Sequence, residues 1–206
     1  WARDHRLHHK YTDTDSDPHN SSRGFWFSHI GWLLVNKHPD IITKGSQHSL
    51  RDLEEDWLVM WQKRNATWFL PFVSLGIPTL IGIYFFHSWK LGLFVFGFLR
   101  WIINLHCTWA VNSLAHGVPL SLGSTAYNNN SSAEDSTLVA VLSYGEGWHN
   151  YHHKFPMDYT AGEHDAWPFG SQWNPSQLVI DGLAAIGQVW DRKRMNHLVG
   201  FQKKTE

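Results

Sequence analysis

Two long apolar stretches set the pattern of the 206-residue chain. No Asp, Glu, Lys or Arg occurs from Asn65 to Trp89, and none from Trp101 to Ala133. Trp68 to His87 is about 20 residues, roughly 30 Å as a helix, which is enough to cross the hydrocarbon core of a bilayer. Pro71, Gly76, Pro78 and Gly82 count against a soluble helix but are tolerated in a membrane one. A second span begins near Leu91 and runs through LGLFVFGFLRWIINL. Ser88-Trp89-Lys90 between them leaves room only for a tight hairpin. A hairpin buried in a soluble core is the alternative, and Arg100 speaks for it because charge inside a membrane is costly. The length of the charge-free run speaks for the bilayer, as do the flanking Trp61, Trp68 and Trp89. The expectation is an all-α membrane protein built on a transmembrane hairpin.

The flanks are polar, which is why mean hydropathy is only −0.33. Asp13 to Asn20 is a turn-rich connector. Asp52 to Arg64, with apolar Leu53, Trp57, Val59, Met60 and Trp61, has the pattern of an amphipathic helix lying on a membrane surface. Gly123 to Asp135 is a Ser/Asn-rich loop, and Pro156 to Pro175 is irregular. One domain over 1–206 is expected: a cap segment at 1–64, the hairpin at 65–111 and a second cap segment at 112–206. Two spans put both cap segments on one side. With Lys90 and Arg100 set aside, 15 of the 17 basic residues are there, Lys63 and Arg64 directly against the first span. That side reads as cytosolic.

Composition adds three abnormal features: 15 His, 13 Trp and a charged fraction of 17%, against about 25% in an ordinary soluble domain. Basic and acidic residues nearly balance, 17 against 18, so no nucleic-acid partner is expected. The single Cys107 excludes an intrachain disulfide and a Cys-based zinc site. Residue 1 is Trp and no signal peptide opens the chain, so its start reads as truncated.

The motif H-x-x-H-H occurs twice, at His5-Arg-Leu-His8-His9 and at His149-Asn-Tyr-His152-His153. On a helix, positions i, i+3 and i+4 share one face, so each box aims two or three imidazoles at one point. Asn112 and His116 are i,i+4 neighbours at the end of the second span. A helix from Leu91 to His116 rises about 39 Å, which carries His116 clear of the hydrocarbon core on the side of both boxes. Seven histidines exceed what one zinc uses, so two metals are implied. Imidazole suits iron, copper and zinc alike. His19, His29, His38, His48, His87, His106, His164 and His197 are scattered, and each reads as an ordinary polar or hydrogen-bonding residue. Asp4, Asp13, Asp15 and Glu146 stand near the boxes as bridging carboxylates or as orienters of the imidazoles. Histidine-bound metals beside an apolar region point to O2 chemistry on a lipid chain. An unactivated C–H bond needs an oxidant that side chains do not supply, so a cofactor metal carries it.

The segments Trp1-Ala-Arg-Asp-His-Arg-Leu-His-His-Lys, Asp17-Pro-His-Asn, Gly24-Phe-Trp-Phe-Ser-His-Ile-Gly-Trp-Leu-Leu-Val, Lys37-His-Pro, Thr108-Trp-Ala-Val-Asn-Ser-Leu-Ala-His, Gly145-Glu-Gly-Trp-His-Asn-Tyr-His-His and Asp191-Arg-Lys closely resemble the membrane stearoyl-CoA (acyl-CoA delta-9) desaturases. The resemblance covers essentially the whole chain. It implies a four-span helical protein of the endoplasmic reticulum membrane with its cap facing the cytosol, of which this chain holds the last two spans. It implies O2-dependent delta-9 desaturation of long-chain saturated acyl-CoA, stearoyl- or palmitoyl-CoA, at a non-haem centre of two Fe2+. Electrons are expected from a cytochrome b5-type donor and its reductase, and no haem-binding His-Pro-Gly-Gly occurs here. Carried over by motif, the iron ligands are His5, His8, His9, His116, His149, His152 and His153, with Asn112 acting through water. The family's first box, H-x-x-x-x-H, is expected upstream of residue 1, so activity is expected of the longer protein. Arg3, Asp4 and Lys37 would contact the CoA portion. Trp1 and Thr108 would line the bend of the acyl tunnel. Asn36 stands where the family often has a basic residue. A related membrane di-iron hydroxylase and an inactive metal- or lipid-binding scaffold are the alternatives.

Overall fold

The computed structural model describes residues 1–128 and 130–195. His197 lies outside them. Among the described residues the named elements are helical, and β pairing is confined to isolated bridges such as Ser124 with Asp135 and Asp135 with Trp148. The helices are α1 (Ala2–Tyr11), α2 (Phe25–His29), α3 (Pro39–Ser46), α4 (Arg51–Glu54), α5 (Trp57–Phe86), α6 (Leu91–His116), α7 (Thr137–Leu142), α8 (His149–Lys154) and α9 (Pro175–Ala185). The chain divides into two compact units, residues 44–106 and residues 1–43 with 107–206.

In unit 44–106 the chain departs from the pattern over Asp52–Arg64. A separate surface helix is not formed there. Asp56 instead caps a new helix, accepting from the N–H groups of Leu58 and Val59 at 2.9 and 3.2 Å, and α5 then runs unbroken for 30 residues. An N-cap satisfies donors the first turn leaves open, which sets the start of the helix at Trp57. At the other end His87 adopts the left-handed region (φ 53°). Its N–H and that of Ser88 close on the carbonyls of Ile83 and Gly82, which turns the chain into α6.

The hairpin is close because two glycines face each other. A Cβ on Gly82 would lie 2.3 Å from Cα of Gly92, and one on Gly92 would lie 2.7 Å from the carbonyl oxygen of Thr79. The backbone is π-wound at Phe72–Gly76 and Leu91–Leu99. Pro78 has no N–H to return to the carbonyl of Ser74. Arg100 fills that place, its Nη2 donating to Ser74 O at 2.9 Å and its Nε to Phe96 O at 2.8 Å. The charge that spoke for a soluble hairpin is thus engaged by the hairpin's own backbone. Only 11% of the apolar window of either long helix is buried within the chain. Helices this apolar and this exposed are not the inner helices of a soluble core, and both are long enough to cross a bilayer.

The other unit is centred on small and medium side chains: Leu7, Ala115, Ala133, Val139, Ala140 and Tyr151 are all buried. Ser136 caps α7 by accepting from Val139 N–H. Gly147 lets the chain pass so near α7 that a Cβ there would sit 2.0 Å from the nitrogen of Ala140. That passage delivers the chain to α8. α8 has only six residues, too few to be stable alone, and it is held by its own polar side chains. Asn150 is fully buried. It accepts from the N–H groups of Tyr127 and Asn128 at 2.8 and 3.0 Å, and donates to the carbonyls of Asn128 and Ala133 at 2.8 and 2.7 Å. The Tyr151 hydroxyl donates to Asp158 at 2.8 Å. The non-histidine letters of the second box therefore fix the helix that presents its histidines.

Candidate metal centre

α1 is anchored by Leu7, fully buried on the face next to His8. From α1, α8 and the end of α6 the structure brings the seven histidines into two groups. His8, His116, His149 and His153 form one, and His5, His9 and His152 the other, with the ligand atoms of each group within 4.8 Å of one another. The two boxes exchange partners. α1 sends its i,i+4 pair, His5 and His9, to the three-histidine group and His8 to the other. α8 sends its pair, His149 and His153, to the four-histidine group and His152 to the other.

The ring nitrogens test whether a metal fits. His8 Nε2 lies 3.1 Å from His153 Nε2, His153 Nε2 lies 3.1 Å from His149 Nε2, and His149 Nε2 lies 3.1 Å from His116 Nε2. In the other group His9 Nε2 lies 3.2 Å from His5 Nε2. A neutral imidazole nitrogen carries either one hydrogen or one lone pair. His153 and His149 therefore cannot satisfy both neighbours by hydrogen bonding. Nitrogens bound at about 2.1 Å to one cation sit roughly 3.0–3.4 Å apart, as they do here. The donor set fits a metal in each group.

Protonation agrees. Burial pushes His9 down to about 3 and His152 to about 4, with neighbouring imidazoles adding to the shift of His9. Burial followed by repulsion among the imidazoles holds His8, His149 and His153 well below the ordinary value, and burial lowers His5. These rings are neutral at pH 7 with lone pairs free for a metal.

Carboxylates stand behind the rings. His8 Nδ1 lies 3.0 Å from both oxygens of Asp17, itself buried. Asp17 also accepts from the N–H groups of Asp13 and His19. Burial pushes its carboxyl up to about 7, and a cation on the far side of His8 would favour the ionised form. His116 Nδ1 lies 2.7 Å from Ser132 Oγ, which donates to Asp13 at 2.8 Å. Of the four acidic residues noted near the boxes, Asp13 alone reaches an imidazole in this way. Asp4 pairs elsewhere, and Asp15 and Glu146 are exposed. Asp17 and Ser132 are the residues that motif reading missed. The Asp-Pro-His turn was a signal for the first, and nothing in the sequence marked the second. His19, assigned no role, packs on His8 with ring centroids 4.1 Å apart.

The expected substrate contacts fall into four places, with Lys37 in two of them. Arg3 and Lys37 both pair with Asp4, Arg3 at 2.8 Å. Trp1 is exposed and stacks on His5 at 4.7 Å. Asn36 and Lys37 line a shallow pocket with Arg23, Phe27 and Trp32. Thr108 is an exposed residue of α6, one turn before the half-buried Asn112.

Two groups of histidines that could each hold a metal ion, in a chain that also carries two helices of membrane-spanning length, define a histidine-rich helical protein with candidate metal sites. Comparison with known proteins narrows this. The family model described as fatty acid desaturase matches residues 1–165, and the chain belongs to that family. It is 46% identical over 199 residues to the stearoyl-CoA desaturase of Homo sapiens, covering 95% of this chain and 52% of that protein. It is 45% identical over 194 residues to an acyl-CoA Delta-9 desaturase of Acheta domesticus (94% and 52%) and 43% over 198 residues to an acyl-CoA Delta12-desaturase of the same organism (94% and 52%). The chain spans about half the length of these relatives.

Proposed function

We propose that the protein desaturates a long-chain saturated acyl-CoA, stearoyl- or palmitoyl-CoA, placing a cis double bond at delta-9. The observation that carries the reading is the run of Nε2 atoms facing one another at 3.1 Å in a chain of this family. Two iron ions, reduced through a cytochrome b5-type donor and its reductase, would supply the oxidising power of O2. One O2, two electrons and two protons then take two hydrogens from the chain and leave two waters.

The residues of this chain have separable tasks. His8, His116, His149 and His153 would hold one metal, with Asn112 acting through water. His5, His9 and His152 would hold the other, joined by the expected H-x-x-x-x-H box. Burial of the rings keeps them neutral. Trp1 and Thr108 line the acyl path. Arg3 and Lys37 meet CoA phosphates by charge-assisted bonds, and Asp4 holds the two cations together until the head group arrives. Lys63 and Arg64, at the head of the first span, support a cytosolic cap on the endoplasmic reticulum membrane.

The test is turnover of stearoyl-CoA by the full-length protein with O2 and reduced cytochrome b5. The product loses two hydrogens, and its fragmentation gives the position of the double bond. Addition of an oxygen instead identifies a hydroxylase, and double-bond formation away from delta-9 corrects the regiochemistry. His152→Ala abolishes turnover and lowers bound iron. Lys37→Ala keeps the iron and raises the KM for acyl-CoA by roughly tenfold.

A further inference from the structure

The four-histidine group differs from its neighbour on the side of the rings turned away from the metal position. His8 has its Nδ1 against the buried carboxylate of Asp17 at 3.0 Å. His116 has its Nδ1 against Ser132 Oγ at 2.7 Å, and Ser132 is fixed in turn by two bonds to Asp13, through Oγ at 2.8 Å and through its N–H at 2.9 Å. In the three-histidine group the Nδ1 atoms of His9 and His152 are buried with no partner among the described residues.

The consequence is one of tautomer and direction. A hydrogen bond at Nδ1 places the proton there and leaves the lone pair on Nε2. It also fixes the rotation of the ring about its last bond. Asp17 cannot turn away, because its oxygens also accept from two backbone N–H groups, Asp13 at 3.0 Å and His19 at 3.1 Å. Ser132 can donate to Asp13 and accept from His116 at once, so the relay runs in one direction.

Resting on the metal reading above, we infer that Asp17 and the Ser132–Asp13 pair are positioning residues that pre-set His8 and His116, so that the four-histidine group is the rigidly built metal site and the three-histidine group is the adaptable one. Partners of this kind change metal affinity by about 10- to 100-fold. They touch neither substrate nor metal.

The experiment loads the full-length protein, in detergent, with Co2+ and follows its ligand-field spectrum during titration with a chelator. The parent shows two classes of bound Co2+. In Asp17→Asn, and separately in Ser132→Ala, one class releases its metal at least tenfold more readily while the other keeps the parent affinity and helical content is unchanged. Retention of both metals at parent affinity in both variants overturns the inference. So does equal weakening of both classes with loss of helical content in both variants, which would make these residues supports of the fold. A parent that binds no Co2+ or iron at all sinks the underlying metal reading, an outcome visible before any variant is made.

Discussion

A histidine ring held neutral inside protein makes the folded state sensitive to acid. For His9 and His152 burial is the leading cause, and it sets their values at about 3 and about 4 against 6.5 for a free ring. The sign follows from proton counting. Between pH 6.5 and about 4 the unfolded chain binds protons that these folded rings refuse. Unfolding is therefore favoured increasingly as pH falls through that window, and above it their contribution does not change with pH. Metal binding steepens the dependence, since each bound ring must also stay deprotonated. With iron held by these rings as proposed, the expected outcome is that iron content, measured after desalting, is constant from pH 8 to 7 and falls steeply below pH 6. Full retention at pH 4.5 would show that something other than these neutral rings holds the metal.

At the scale of elements, the two long helices and the short α8 are stabilised in opposite ways. α5 and α6 are apolar and long, and their mutual approach is set by backbone against backbone at Gly82 and Gly92. Gly92→Leu places a branched side chain where even a Cβ would meet Thr79 at under 3 Å. The helices must part there, with loss of about 3 kcal/mol, the upper end of what overpacking typically costs. Reduced thermal stability in detergent and easier proteolysis at Ser88–Lys90 are the measurements. Parent stability would mean that the hairpin opens without cost. α8 depends on the four hydrogen bonds of Asn150 as well as on the buried ring of Tyr151, so its position belongs to Tyr127, Asn128 and Ala133 as much as to its own six residues.

For the molecule as a whole, the exposed apolar surface of α5 and α6 requires a solvent other than water. The protein is expected to stay in the membrane pellet through alkaline carbonate extraction. Two spans, as proposed, would put both flanks on one side. A glycosylation acceptor placed in the loop 123–133 should stay unmodified, and one placed at the Ser88–Lys90 turn should become accessible from the lumen when set on a sufficient spacer. Modification of the first of these sites would reverse the orientation proposed from Lys63 and Arg64.

Some of this was legible in the residues alone, because it is a matter of period and length. Charge-free runs long enough for a bilayer mark the hairpin whatever the rest does, and i, i+3, i+4 spacing puts three imidazoles on one helix face in any context. The resemblance carried by the boxes added the family. The helix start at Trp57 was not legible, since one cap at Asp56 outweighed an amphipathic pattern that runs across it. Nor could spacing divide seven histidines into four and three. That division depends on how α1, α8 and the end of α6 meet, with each box sending its i,i+4 pair to a different group. Ser132 shows the limit most plainly. It is one serine in a Ser/Asn-rich loop, and only the fold, by bringing residues 13, 116 and 132 within hydrogen-bonding distance, makes it the partner of His116. Local pattern determines what a segment can offer, and contacts between residues far apart in sequence decide what it meets.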